Sequence, residues 1–411
     1  MSAIPSAALP RDLARMLAAA PHRLLFFVGA SNVLLAMAWW AAWLIDARWQ
    51  ILGLQQPEIP AGWLHAIVMQ YQVLPSFMFG FLLTVFPRWM NQPPLRRAHY
   101  VPVGIGLFGG QILTLSGIAA GMPLLKAGVV LTTAGWLMGL TLLVRLAHRD
   151  GYRTWHAVSC TFALGFGVLG LIMYATFLHR PDARLMFGAI KIGSVAVLLP
   201  IYFTVCHRMI PFFAGAALPG YRAVRPMWTL AVFWALAIAH VWLELRHGYE
   251  WLWLADLPLT ALSLGLLSVW WPRRASMPAL LRVLFVGFAW LPVAFALYTF
   301  QSLWYAATGA FILGRAPAHA LFIGFFGSLL VAMVTRVTQG HSGRPLVLGR
   351  VAGFAFIAVQ GVALLRTLAE LQPDGLSWQA VAAVCWIAAF LPWVARSSWI
   401  YLSARTDGKP G

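Results

Sequence analysis

Charge is what this sequence has least of. Only 10% of its 411 residues are Asp, Glu, Lys or Arg, where an ordinary soluble domain carries about 25%. Acids are the scarcer sign, 11 against 29 Lys and Arg. Cysteine is nearly missing as well: Cys160, Cys206 and Cys385 fall within or beside apolar runs, which speaks against an oxidised disulfide framework and leaves them as small buried residues. No stretch between apolar runs exceeds about 20 residues, so no soluble domain fits anywhere. Nothing resembling a small-residue cleavage site follows the first run, and we read a retained helix there rather than a removed signal.

Hydrocarbon is what the chain has in excess, 61% hydrophobic residues and a mean hydropathy of +0.78. Windows of about 20 apolar residues give twelve spanning helices: residues 24–45, 63–86, 101–121, 123–147, 156–178, 186–206, 227–245, 251–271, 280–300, 316–338, 350–371 and 377–402. The expected fold is an all-α polytopic membrane bundle, a single integral domain over residues 1–411 with short tails at 1–23 and 403–411. A net charge of +18 suggests nucleic acid in a soluble protein, but its placement suggests otherwise. With both termini assigned to the cytoplasm, 21 of the 29 basic residues and only Asp12, Asp150 and Asp407 of the acids fall on the inner side. The positive-inside rule accounts for that excess, and nucleic acid is not needed.

The second and sixth helices share a proline pattern, Pro75 with Pro87 and Pro200 with Pro211, and the tenth has Gly324 and Gly327 in place of the prolines. Each proline predicts a kink or a stop. The pattern suggests three units of four helices, the second helix of each facing a shared interior. Twelve helices in threes of four also occur in haem-copper oxidases, which is an analogy of fold alone.

The stretch most like a signature runs from His319 to Pro345. His319-Ala320-Leu321 opens an apolar helix, Thr335-Arg336-Val337 closes it, and Gly340-His341-Ser342-Gly343-Arg344-Pro345 forms a tight basic loop. From His319 to Arg336 is roughly 25 Å of helix, nearly the thickness of a bilayer core. This segment resembles the NnrS family of haem- and copper-containing membrane proteins associated with bacterial nitric oxide stress. The family pattern has His-Ala-Leu at the helix start and Arg-Val, then Gly-His-Thr-Gly-Arg-Pro, at its end, and Ser342 replaces the Thr. Gly80-Phe81-Leu82-Leu83-Thr84 with Pro87 and Trp89, and Ile210-Pro211-Phe212-Phe213, match in order. The chain departs where the family reads His-Ala-His-Glu-Met and this sequence reads His65-Ala66-Ile67-Val68-Met69. A site that needs the second histidine and the glutamate is absent or rebuilt.

The resemblance implies a multi-pass protein of the bacterial cytoplasmic membrane that carries haem, expected to be b-type, and copper, and that binds or redox-processes nitric oxide. His65, His319 and His240 all lie within roughly 10 Å of the outer hydrocarbon boundary by helix rise, so the three imidazoles are expected to share one site, with His65 and His319 clamping haem iron. Tyr71, Phe77, Phe79, Trp304, Phe322 and Gly324 are the expected lining, and Arg48, Arg180, Arg184 and Arg315 the outer bases for propionates. Met69, one turn after His65, adds a thioether that favours copper(I). Cys206, His207 and Met209 form a second soft cluster that needs a helix break at Pro211 to act on one ion. At the inner face Arg336, His341, Arg344, His207 and Arg208 are expected to approach one another and to hold propionates, a quinone head group or an anion. Lys191 lies a few residues into its helix, where it either snorkels outward or faces a cavity.

A secondary transporter is the alternative of another class, since twelve helices with repeats and kinks suit it, and a metal or cofactor assembly factor is a third. All eleven acids are placed in loops, tails or helix ends, so buried acids for proton coupling are expected to be nearly missing, which disfavours a coupled carrier.

Overall fold

The computed structural model describes residues 10–272 and 276–408, with side chains from residue 13 onward. Arg273, Arg274 and Lys409, and the side chains of Arg11 and Asp12, all assigned above to the inner face, lie outside the described residues. Among the described residues, twelve helices are long and apolar enough to cross a membrane: α1 (Pro21–Trp49), α2 (Ala61–Trp89), α3 (Arg97–Ala120), α4 (Met122–Arg149), α5 (Trp155–His179), α6 (Ala183–Ala217), α7 (Trp228–Leu245), α8 (Tyr249–Trp270), α9 (Ala279–Thr308), α10 (Ala316–His341), α11 (Arg350–Leu371) and α12 (Gly375–Tyr401). A short helix, Pro10–Leu17, precedes them. The twelve windows read from the sequence each fall on one of these helices. The start of α1 and the end of α12 lie at one face, because the Arg23 guanidinium donates to the carbonyls of Ile400, Tyr401 and Ser403. The two faces keep the names outer and inner from the charge assignment.

The bundle is organised around three helices. In their most apolar windows α2, α6 and α10 are 89%, 78% and 83% buried, against 33–61% for the other nine. Each of the three contains a π-helical stretch, at Met69–Val73, Ile192–Leu198 and Ala320–Gly327. Pro75 and Pro200 each sit second in the α-helical segment that follows. A proline removes one i→i−4 hydrogen bond, and the carbonyl left over at Tyr71 accepts the indole N–H of Trp136 on α4 at 2.8 Å. The second helix of each four-helix unit thus occupies the centre, as the proline pattern suggested, and α10 carries the same π stretch without a proline.

Surrounding helices pack through small residues. Gly106 and Gly110 of α3 meet Gly128 and Gly135 of α4 so closely that a Cβ at Gly106 would lie 2.5 Å from the Gly135 Cα. Gly121 alone joins the two helices, with φ +103, a conformation side chains rarely adopt. Gln72 of α2 donates to Thr114 of α3 at 2.8 Å and Thr132 of α4 at 3.0 Å, tying the central helix to that pair.

Candidate functional site

At the outer face α2 and α10 bring His65 and His319 into electrostatic reach of each other and of Arg315 and Arg366. The two imidazoles differ in how they are held. His319 directs Nδ1 to the Arg315 carbonyl at 2.9 Å, which fixes the ring and leaves Nε2 free. His65 stacks on Trp40 of α1, with centroids 4.4 Å apart and planes 12° from parallel. Trp40 stacks in turn on Trp43 at 5.2 Å. The His65 Nδ1 is buried and has no hydrogen-bond partner. A backbone-oriented histidine with its second nitrogen free is the usual arrangement of a metal-ligating imidazole. Arg366, which the sequence did not single out, reaches this site from α11 and pairs with Glu370 at 2.7 Å.

His240 is not brought into this pair. It is fully buried between two carboxylates, Nδ1 lying 2.6 Å from Asp256 Oδ1 on α8 and Nε2 3.4 Å from Glu244 Oε2 one turn along α7. Glu244 also binds the Lys191 ammonium of α6. Two expectations change here. The expectation that the three imidazoles share one site gives way, because His240 faces Asp256 and Glu244, with Nδ1 bonded to Asp256 and Nε2 close to Glu244 without a hydrogen bond. The expected lack of buried acids is corrected too: Glu244 and Asp256 stand near helix ends, as placed, yet are 3% and 0% exposed. Lys191 faces this cluster and does not snorkel.

The remaining outer candidates disperse. Met69 opens the π stretch but stays one turn from His65, its amide donating to the His65 carbonyl. The Tyr71 hydroxyl is spent on the Ala189 carbonyl, Phe79 packs edge-on against Trp136, Phe77 lies against Gly29, Trp304 is largely exposed and Trp290 covers Gly324. They do not form a common lining; only Phe322 stays next to the pair in sequence, on the π stretch that follows His319. Arg48 is held by Asp374 at 2.9 Å.

Nor do the inner residues converge on one patch. Arg336 lies 4.0 Å over the Phe213 ring of α6, so α6 and α10 are neighbours there as expected. Arg208 instead covers Trp89, and Arg344 covers Trp399. α6 continues unbroken past Pro211, which keeps Cys206 and His207 about 100° apart. His207 turns to His156 of α5, with Nδ1 and Nε2 3.0 Å apart, and to Thr229 at 3.0 Å. His341 pairs with His22 of α1, centroids 4.3 Å apart, and with Arg88 at 3.4 Å. The Gly-flanked loop docks the C-terminal segment. Its Ser342 carbonyl accepts from Thr406, and a Cβ at Gly343, whose φ is +72, would lie 2.7 Å from the Asp407 carboxyl carbon. Sequence reasoning missed His156 and His22, whose partners are far along the chain.

Among the described residues, no group of three or more His, Cys, Asp or Glu side chains is placed to hold a metal ion. A haem iron needs only two axial ligands from the protein, and His65 and His319 are two imidazoles with free nitrogens on facing helices, with guanidinium groups beside them. The pair meets that ligand requirement, whereas the expected ring lining does not assemble around it.

A helical membrane protein with a π-interrupted central trio and a pair of histidines at one end of it is the class that fold and site define. The chain belongs to the NnrS family: the family model described as NnrS protein matches residues 16–405, nearly its whole length. Members of that family are linked to the response to nitric oxide. A search of curated proteins gave no match.

Proposed function

We propose that this protein is a haem-binding membrane protein of the nitric oxide response, with His65 and His319 as axial ligands of a b-type haem near the outer face. The observation that carries the reading is the His65 nitrogen, buried and without a partner, next to a His319 whose ring a backbone carbonyl orients. A buried imidazole nitrogen left without a hydrogen bond costs about 1–3 kcal/mol, and ligation to iron removes that cost. Arg315 and Arg366 lie within reach of both histidines and supply the charge for propionates; the Nη1 of Arg315 stands 3.8 Å from where a Cβ on Gly62 would be, at the outer end of α2. When bound, the haem would supply redox-active iron for the response to nitric oxide. Copper and a quinone have weaker support: the described residues hold no cluster of three His, Cys, Asp or Glu donors, and the inner residues expected to hold a quinone disperse. Location in the bacterial cytoplasmic membrane with both termini inside follows from the charge asymmetry and belongs to the same proposal.

Purified from haem-replete cells, the protein should show a low-spin haem spectrum. His65→Ala or His319→Ala should each lower haem content or convert the spectrum to high spin, and His156→Ala should do neither. A haem-free wild type would sink the reading in favour of a carrier or an assembly factor. Unchanged spectra in both ligand variants would sink the ligand assignment.

A further inference from the structure

Below the histidine pair, the three central helices, with Phe26 of α1, line a half-open cavity of about 60 Å³. Each lines it with residues at positions i, i+1, i+4 and i+5, starting at Phe77 in α2, Ile201 in α6 and Leu329 in α10. The stripes begin two to four residues after the respective π stretches end. Any α-helix presents residues i, i+1, i+4 and i+5 on one face, and here all three central helices turn that face to the same space at similar depth. The repetition places the cavity on the axis that relates them, about 18 Å of helix rise below His65 along α2.

The lining is hydrocarbon and thioether, with two exceptions on α6 one turn apart, the Tyr202 hydroxyl and the Cys206 thiol. Water needs two to four polar partners to stay in such a space, and a thiol is a weak one. The site is therefore dry. Its volume lies above the roughly 10–15 Å³ that admits one water and well below the roughly 150 Å³ of a cavity that takes benzene, too small for an aromatic ring and enough for a diatomic molecule. Such a molecule, if apolar, dissolves in the surrounding bilayer and reaches the axis without crossing water.

We infer that this axial cavity is a binding site for an apolar diatomic gas, nitric oxide being the one the proposed function calls for. The identity of the gas rests on that reading; the preference for a small apolar guest rests on the lining alone.

The test is xenon, an apolar probe of suitable size. Crystals of the intact protein under xenon pressure should show one anomalous peak between α2, α6 and α10. Val205→Phe, which fills the cavity, should abolish the peak, and Leu330→Ala, which enlarges it, should keep it. No peak in the wild type, or an undiminished peak in Val205→Phe, would overturn the site. Equilibration with nitric oxide beforehand should lower xenon occupancy; undiminished occupancy would overturn nitric oxide as the guest. Haem assay of the same preparation separates the two proposals: xenon bound without haem leaves the cavity and removes the haem reading, and haem without xenon does the reverse.

Discussion

His240 and His65 both stand near the outer ends of their helices, yet their nitrogens are treated in opposite ways. Around His240 the chain gathers much of its scarce charge, with Asp256 and Glu244 facing the ring and Lys191 completing the group. Around His65 it gathers tryptophan and leaves Nδ1 with nothing to bind. A membrane interior makes both choices expensive, since buried charge and unsatisfied polar groups cost free energy alike. The first group sets charge against charge, although His240 Nε2 and Asp256 Oδ2 make no hydrogen bond. The second is balanced only by something from outside, which is why the less polar of the two sites is the better candidate for a ligand.

The largest expected effect breaks the comparison most directly. Glu244→Ala leaves the Lys191 ammonium and one face of His240 without a partner; breaking a buried pair in this way costs about 3–5 kcal/mol, and Lys191, 24% exposed as a side chain, recovers part of that by hydration. His65→Ala removes a ring that makes no hydrogen bond, losing chiefly its stacking on Trp40, about 0.5–1.5 kcal/mol. Thermal unfolding in one detergent should therefore rank Glu244→Ala well below His65→Ala. Equal losses would mean that the outer pair is as structural as the cluster.

The next effect tests whether orphaned groups elsewhere are satisfied from within. Trp136→Phe keeps most of the ring but takes the donor from the Tyr71 carbonyl that Pro75 leaves free. An unsatisfied buried carbonyl costs about 1–3 kcal/mol, so the variant should unfold earlier while keeping any haem. If the midpoint does not move, backbone groups in this bundle go unsatisfied without penalty, and the partnerless His65 nitrogen loses its meaning.

The sequence made the helices legible because twelve apolar windows and a one-sided charge excess are properties of composition. Pro75 and Pro200 marked two of the three central helices, but α10 has no proline at that place, and a π stretch differs from an α-helix by one residue per turn, which no periodicity count resolves. The site was legible in part. His65 and His319 stood out as helix-start histidines, whereas the partners of His240 and His156 lie 16 and 51 residues away on other helices. Arg366 looked like an ordinary charge at a helix end until α11 packed against α10. The inner loop was read as a ligand patch because its glycines implied shape; the shape serves the C-terminal segment.

That docking gives a smaller effect. Gly343→Ala places a Cβ in a left-handed conformation that costs roughly 1–2 kcal/mol and drives it into Asp407. Limited proteolysis should cut the segment after Leu402 faster in this variant, with the haem spectrum unchanged. A protected segment would show that the loop tolerates the side chain, and a lost spectrum would return the inner loop to the site.

The smallest effect belongs to the surface counterpart of the buried cluster. Asp374, in the turn between α11 and α12, accepts from Arg48 and Ser377. The Arg48 guanidinium first, and the Ser377 hydroxyl second, hold its carboxyl down to about 2 from an ordinary 3.8. A carboxyl depressed in the folded state stabilises it fully above the ordinary value, and that contribution is lost as the pH falls through about 2. Both side chains are solvated, so screening leaves little of the attraction. Asp374→Asn should hence move the unfolding midpoint only slightly at pH 7, less at high salt, still less at pH 2, where the wild-type carboxyl is about half protonated, and not at all well below that. A shift as large as that of Glu244→Ala would overturn the distinction between exposed and buried pairs on which the reading of the outer histidines depends.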